Sequence, residues 1–292
     1  MARWRPLFLD PSRYSDSATI TASTESGEYV ATNMQDQRPT RVWRSTNDTA
    51  ANTRIKIDLG SAIAVNGLCM SHHNFSTACT ITIAYADTNE DITSGSWTTL
   101  VSGLDGRPAE YGWGEGPWGA GGWYGYATSD SHPGYVPIFF YELTGQPIHR
   151  YWRISIIDES NADGYIQIGR IALDRLFEPE NGIYWGYTHS INDISPIGRT
   201  GQGSFYSAAL AKYQKIDGIR ALATLREWED FWLPVGLAKG ISRDLYMLMD
   251  ESSGAEARHV MRRHYGRFVN GTIPQWASGN VGTITFGFEQ AL

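Results

Sequence analysis

Apolar and polar residues alternate along several short runs of this chain. In the clearest run, Trp152, Ile154 and Ile156 alternate with polar residues, which is the period-two pattern of a strand that buries one face. A second apolar run over residues 166–173 follows a polar loop, and its parity changes beside Gly169. That change predicts a bulge or bend at the glycine. We therefore predict that the two runs form a hairpin, the closing pair of a β-sandwich.

Further alternating runs precede this pair, at residues 19–23, 40–45, 54–60, 64–70 and 80–85. Ile55, Ile57 and Leu59 share one face of their run, and Gly60 ends it. Short strands with turn residues at this spacing indicate a sandwich or barrel and not an alternating β/α fold. Residues 1–17 are polar and aromatic with two prolines, and we predict that they form an N-terminal arm lying on a neighbouring chain.

The pattern changes after residue 177, where a turn-rich stretch marks a domain boundary. Thr224 and Glu227 form a predicted capping box, and apolar residues at helical spacing follow it. Because Pro234 disfavours helix in the residue before it, we predict a helix over residues 225–233. Alternating runs at 244–249, 263–269 and 283–289 predict strands, so residues 177–292 are predicted to form an α+β barrel with one packed helix.

Composition narrows the class of protein. The chain has 292 residues, 31 of them Gly, 16 Tyr and 11 Trp, and a formal net charge of -7. This acidic balance argues against a protein that specifically wraps nucleic acid. No run has the apolar length of a membrane span or of a signal-peptide core. We therefore expect synthesis in a cytoplasm, where Cys69 and Cys79 are expected to be buried thiols.

Several of these strand sequences together resemble a known family. They are Val42-Trp43-Arg44-Ser45, Ile55-Lys56-Ile57-Asp58-Leu59-Gly60, Thr80-Ile81-Thr82-Ile83, Tyr151-Trp152-Arg153-Ile154 and Gly164-Tyr165-Ile166-Gln167-Ile168-Gly169-Arg170. The succession resembles the discoidin-like, galactose-binding-like jelly roll, in the version carried by tail proteins of bacteriophages. The resemblance covers residues 18–176 and is interrupted by one Gly- and Trp-rich insertion, residues 104–136.

The second part resembles the tail-tube-like split β-barrel of siphophage distal tail proteins. In that barrel a helix follows two strands, and a strand with the sequence Tyr265-Gly266-Arg267 precedes the last one. Many distal tail proteins carry the barrel first, whereas here it is C-terminal. This departure leaves the place of the chain within the tail open.

These resemblances together imply a structural virion protein at the tail tip. It would form a ring at the distal end of the tail tube, a hexamer by expectation or a trimer as the alternative, and connect the tube to the hub and baseplate proteins. The alternative is a host-surface module of the tail that binds glycans. Its synthesis would take place in the host cytoplasm.

The insertion supplies the candidate binding residues. Trp113, Trp118, Trp123 and Tyr124 lie in Gly-dense sequence, where aromatic rings can stack on a sugar or pack against another subunit. Both roles stay open, and subunit packing is the favoured one.

The sequence predicts no enzyme. It lacks the motifs of zinc proteases, serine hydrolases and P-loop proteins, so we predict no catalytic residues, no cofactor and no metal. One acidic loop with Asp158, Glu159, Asn161 and Asp163 has oxygen ligands that could hold calcium. A solvated turn with Asx-type hydrogen bonds is the favoured alternative.

Overall fold

The structure, a computed structural model, describes residues 6–107, 136–183, 186–199, 202, 205–207, 210, 212–249, 263–269, 273–278 and 280–291. Within these ranges the chain is mainly β with one α-helical segment, and short 3-10 turns lie at Ser15–Ser17 and Ala31–Gln35. A β-sandwich comes first and a sheet with a packed helix follows. The fold class predicted from the sequence is therefore confirmed.

The first layer of the sandwich is a five-stranded antiparallel sheet in the order β2-β4-β9-β6-β7. Its strands are β2 (Thr19–Ala22), β4 (Arg54–Ala64), β6 (Thr80–Ala86), β7 (Thr98–Asp105) and β9 (Ile148–Ile157). The apolar residues of the alternating runs point to one side of this sheet, and Ile55, Ile57, Trp152, Ile154 and Ile156 are completely buried there. Burial of this face is what the period-two pattern predicts.

The second layer closes the core from the other side. It contains a three-stranded sheet in the order β11-β5-β8 and a two-stranded ladder of β3 with β10. The strands are β3 (Trp43–Arg44), β5 (Gly67–Ser71), β8 (Ile138–Glu142), β10 (Gln167–Ile168) and β11 (Arg170–Asp174). Trp43, Leu68, Met70 and Ile171 fill the space between the layers.

The predicted hairpin is wrong, because its two runs lie in different sheets. β9 pairs with β4 and β6 in the five-stranded sheet, while β10 and β11 pair with β3 and β5 in the opposite layer. The two runs therefore face each other across the core and exchange no ladder hydrogen bonds. The predicted break at Gly169 is confirmed, because β10 ends before this residue and β11 begins after it.

A larger antiparallel sheet forms the C-terminal unit, in the order β12-β1-β17-β18-β20-β16-β13. The eighth strand, β19, also pairs with β20, along a different stretch of it from β18. Its strands are β1 (Leu7–Leu9), β12 (Leu176–Phe177), β13 (Thr188–Asp193), β16 (Lys212–Thr224), β17 (Leu245–Leu248), β18 (Arg263–Phe268), β19 (Ile273–Ser278) and β20 (Val281–Gln290). A separate hairpin joins β14 (Ile197–Arg199) and β15 (Phe205–Ser207). In the part of the chain that is described, the end strands β12 and β13 each have one neighbour, so the sheet is open.

Part of the predicted N-terminal arm packs within this chain and not on a neighbouring one. Residues 7–9 form β1, which lies between β12 and β17 of the same chain. Phe8 is completely buried, with ring centroids of Trp232 and Phe286 at 5.3 and 5.9 Å. This segment is therefore a structural strand of the C-terminal sheet, because burying its apolar side chains in that core lowers the free energy relative to leaving them on a surface.

The helical segment begins where the capping box predicts. Thr224 Oγ1 accepts the Glu227 amide and Glu227 Oε2 accepts the Thr224 amide. The segment consists of α1 (Leu225–Glu227), a π-helical turn (Trp228–Trp232) and α2 (Leu233–Lys239). It thus extends beyond the predicted end at residue 233, since the chain reaches Pro234 through a π-helical turn, in which the Leu233 amide donates to the Trp228 carbonyl and the regular hydrogen-bond ladder is already interrupted.

An apolar layer joins the two units. Side chains on the outer face of the three-stranded sheet, among them Cys69 and Phe140, pack with Tyr246, Leu248 and Tyr265 of the C-terminal sheet. Both cysteines are buried, and desolvation raises the pKa of the Cys79 thiol strongly. The chain is thus built of stacked sheets with a continuous apolar contact between them.

Candidate functional site

The four aromatic residues predicted from the insertion, Trp113, Trp118, Trp123 and Tyr124, lie outside the described residues. The described part of the sandwich carries another candidate site. It is a small surface that we call the loop-end face, made of Tyr29, Arg44, Tyr165 and Gln167.

An arginine stacked between two tyrosine rings is the centre of the loop-end face. The guanidinium carbon of Arg44 lies 4.3 Å from the ring centroid of Tyr29 and 4.1 Å from that of Tyr165. Arg44 Nη2 donates a 2.9 Å hydrogen bond to Gln167 Oε1. Cation–π contacts at such distances hold a guanidinium flat between the rings.

Strand pairing puts these residues together. Arg44 and Gln167 are directly opposite in the ladder of β3 with β10, so their side chains share a face. Tyr165 precedes Gln167 by two positions and therefore points to the same side. Tyr29 belongs to a tight turn, and its carbonyl oxygen accepts a 3.2 Å hydrogen bond from the Arg44 amide. The local fold thus builds the face from three segments that are distant in sequence.

The face combines exposure with an unneutralised charge. Tyr29 is 39% exposed, while the other three residues are half-buried. Among the described residues, no carboxylate pairs with Arg44, and its buried Nε has no hydrogen-bond partner. The face thus offers a ligand a guanidinium whose charge no described carboxylate neutralises.

The adjacent acidic loop is held by the protein's own donors. Asp158 is buried and accepts hydrogen bonds from the Ser76 hydroxyl and amide and from Asn161 Nδ2. Asp163 accepts a 2.9 Å bond from Asn74 Nδ2. These contacts are those of the hydrogen-bonded turn, the favoured alternative to calcium. No group of three or more His, Cys, Asp or Glu residues in the described ranges is arranged to hold a metal ion.

The strongest charge interactions are buried between the units and not in the loop-end face. Arg170 Nε donates to Asp244 Oδ2 at 2.7 Å, and Arg170 Nη2 lies 2.7 Å from Asp16 Oδ1. Burial alone would lower the pKa of Arg170, but the two carboxylates outweigh it and raise the pKa. The Tyr265 hydroxyl donates to Asp244 at 2.9 Å, and burial together with this carboxylate raises the pKa of Tyr265. This cluster fastens the units to each other.

Sequence reasoning missed the loop-end face. Arg44, Tyr165 and Gln167 belong to the strand sequences that carry the family resemblance, yet their pattern indicates only strands. The one local signal is that Tyr165 and Gln167 alternate with the buried Ile166 and Ile168, which places both on the outward side of the run. Their contact with Arg44 and Tyr29 depends on pairing over more than 120 positions.

Comparisons with known proteins identify no family. No family model matches the sequence, and no curated protein matches it. Among the described residues, no helix is both long and apolar enough to cross a membrane.

Several solved structures are similar over part of the chain. The family 32 carbohydrate-binding module (CBM) of Clostridium perfringens NanJ, in complex with galactose, is 14% identical with a TM-score of 0.36, covering 59% of this chain and 99% of that one. CBM32-1 from a family 31 glycoside hydrolase of C. perfringens is 10% identical with a TM-score of 0.35, covering 56% and 99%. A family 89 glycoside hydrolase of C. perfringens in complex with PUGNAc is 15% identical with a TM-score of 0.35, covering 53% of this chain and only 14% of that one. The fold given above rests on the observed strands and their pairing.

Proposed function

We propose that the β-sandwich binds carbohydrate and that the loop-end face contacts the sugar. The observation that carries this proposal is the Arg44 guanidinium, stacked between Tyr29 and Tyr165 with no carboxylate partner in the part of the chain that is described. Sugars present apolar C–H faces and a rim of hydroxyl groups. Aromatic rings cover the first and planar polar groups hydrogen-bond the second. The proposed role is binding without catalysis, on the host surface or on another glycan-bearing partner.

A glycan array followed by titration tests this role. We expect Arg44→Met, which keeps the length of the side chain and removes its donors, to weaken binding at least tenfold, or about 1.4 kcal/mol. Arg41→Met is the matched control, because Arg41 is an exposed arginine of the preceding turn and should bind like the wild type. If no glycan binds the wild-type chain, the proposal is wrong.

The same assay separates the two candidate locations. A Trp118→Ala and Trp123→Ala double variant removes rings of the predicted insertion and leaves the loop-end face intact. Loss of binding in this variant alone would place the sugar on the insertion. Loss in Arg44→Met alone would place it on the loop-end face.

A second candidate function has its own observation. We also propose a structural role in a bacteriophage tail, as a ring at the distal end of the tube that contacts the tube and the hub proteins at the tail tip. Large exposed apolar side chains concentrate in the C-terminal unit: Ile191, Ile194, Leu210, Leu225, Leu233, Leu237, Ile241 and Trp276. Leu233 and Leu237 are one helical turn apart. Where such side chains form a contiguous patch, they mark an association surface.

The directions of the edge strands in the sheet support a ring. β13 and β19 each have one neighbour among the described strands and lie on opposite sides of β20. β13 is antiparallel to β16, and β16 is antiparallel to β20, so β13 is parallel to β20. β19 is antiparallel to β20. Rotation about an axis along the strands would therefore bring β13 of one copy antiparallel to β19 of the next. Such a head-to-tail contact gives a ring when the rotation between copies divides a full turn evenly.

Light scattering and negative-stain imaging of the purified chain test assembly. We expect rings of six or three copies, and loss of rings in Ile191→Lys and Trp276→Lys, which place a charge on the two edges. Ile148→Lys is the control, because Ile148 is 60% exposed on the sandwich, away from both edges. A strictly monomeric chain at high concentration would contradict this candidate function.

A further inference from the structure

Three cations share the outer face of the five-stranded sheet. Lys56 of β4 is directly opposite Arg153 of β9, and Arg54 precedes Lys56 by two positions on the same face. We call these three residues the cationic face. Like charges directly opposite in an antiparallel pair are destabilising, so this arrangement is costly unless an anion offsets it.

Within the described ranges, neutral groups and no carboxylates contact the three cations. Arg54 Nη1 donates to the Thr93 carbonyl at 2.7 Å, and Lys56 Nζ donates to Asn89 Oδ1 and the Glu90 carbonyl at 2.5 and 2.6 Å. Arg153 Nε is buried and has no hydrogen-bond partner among the described residues. The cationic face therefore keeps its positive charge.

The neighbouring carboxylates are already engaged elsewhere. Asp58 accepts both Nε and Nη2 of Arg150, at 2.7 and 2.9 Å. Asp91 Oδ1 accepts the amides and hydroxyls of Thr93 and Ser94 within its own turn. The carboxylate of Glu90 accepts the Thr88 hydroxyl and the Ser96 amide.

An aromatic ring borders the cationic face. The ring centroid of Trp97 lies 5.2 Å from Arg153 Cζ and 6.0 Å from Lys56 Nζ, and its indole N–H donates to the Asp91 carbonyl at 2.8 Å. Burial, followed by the charge of Arg54, lowers the pKa of Arg153. The guanidinium is thus in an environment that favours the arrival of a negative charge.

We infer that the cationic face binds a carboxylate or sulfate group carried by an acidic polysaccharide. Three cations on neighbouring positions of one face attract an oxyanion, and Trp97 offers apolar contact to the attached sugar ring. Nucleic acid fits less well, because its phosphates form a row and the chain as a whole carries a net charge of -7, which repels a long polyanion. This inference is separate from the proposed function of the loop-end face, since the two sets share no residue.

Affinity electrophoresis with defined polymers tests the inference on the full chain. The probes are polygalacturonate, dextran sulfate, neutral dextran and a single-stranded DNA oligonucleotide. We expect the two acidic polysaccharides to retard the wild type, and Arg153→Gln and Lys56→Gln to reduce the affinity at least tenfold. Arg226→Gln is the control, because its side chain is 91% exposed in the C-terminal unit. Arg44→Met should keep the binding, which distinguishes this face from the loop-end face.

Each other outcome overturns the inference. Those outcomes are equal retardation by neutral dextran, preference for DNA, retardation by neither acidic polymer, or equal loss in Arg226→Gln. Circular dichroism checks the fold of the variants. If both are misfolded, the wild type decides: its affinity for polygalacturonate should fall steeply between about 0.05 and about 0.5 M salt, because salt screens exposed charges, and a flat response would contradict the inference.

Discussion

Arg170 and Asp244 form an ion pair of 2.7 Å that is shut off from solvent and crosses from the sandwich to the C-terminal sheet. Arg170 belongs to β11, and Asp244 immediately precedes β17. The Tyr265 hydroxyl lies 2.9 Å from the same carboxylate oxygen and 3.1 Å from the Gln37 carbonyl oxygen, so its single proton is shared between two acceptors. A polar contact thus accompanies the apolar layer that joins the two units.

Asp244→Asn should destabilise the whole chain. The substitution leaves the buried Arg170 with Asp16 as its remaining carboxylate, and breaking a buried ion pair costs about 3–5 kcal/mol. The measurement is urea denaturation followed by tryptophan fluorescence. Asp193→Asn is the control, because the exposed pair of Asp193 with Lys212 should contribute less than about 1 kcal/mol. Equal losses in the two variants would refute the role given to the Arg170 pair.

Phe8→Ala tests whether the N-terminal strand is structural. Phe8 packs against Trp232, Phe231 and Phe286 in the core of the C-terminal unit. Truncation of a buried phenylalanine costs about 3–5 kcal/mol, and we expect that loss in the free energy of unfolding. Leu100→Ala, at a residue 37% exposed on β7, should cost much less. A stability unchanged by Phe8→Ala would mean that the segment is an arm after all.

The sequence predicts individual strands better than their partners. Alternation is a local signal, so β4, β6 and β9 are recognisable from residues such as Ile57 and Ile154. Pairing is not local: β9 exchanges hydrogen bonds with strands that begin at Arg54 and Thr80, and the predicted hairpin with its successor is wrong. β1 has three residues, too few for a periodic pattern, so the sequence does not distinguish this strand from an arm.

The loop-end face was unpredictable for the same physical reason. Tyr29, Arg44 and Tyr165 have no common spacing, and only the folded sandwich brings their side chains together. The helix begins as its capping box predicts because that motif is contained in Thr224 and Glu227. The helix end differs because Pro234 follows a π-helical turn that interrupts the regular hydrogen-bond ladder, and the sequence pattern does not distinguish such a proline from one that stops a helix.

His264 should make stability depend on pH. Burial, and then the charge of His189, lowers the pKa of His264 to about 3. Since the unfolded chain takes up this proton at an ordinary pKa of about 6.5, stability is present above that value and is lost as the pH falls towards 3. His264→Leu should reduce the loss between about pH 7 and about pH 5 by about 2 kcal/mol.

Denaturation at several pH values checks this expectation. His72 and His73, whose pKa values burial lowers to about 4 and about 3, should keep part of the pH dependence in the variant. The comparison therefore concerns the slope and not its complete removal. Parallel profiles of wild type and variant would show that His264 takes no part.

Gly266 is required by the close approach of two strands. It lies in β18 opposite Gln290 of β20, and a Cβ atom at this position would meet the Glu289 backbone carbonyl oxygen at 1.9 Å. Gly266→Ala must therefore displace a strand, at a cost of about 1–3 kcal/mol or more, seen as a lower urea midpoint. At Gly287 the nearest atom to an added Cβ is a side-chain oxygen of Asp217 at 3.0 Å, which can move aside. Gly287→Ala should thus be the milder change, and the reverse order would contradict this account of the glycine in Tyr265-Gly266-Arg267.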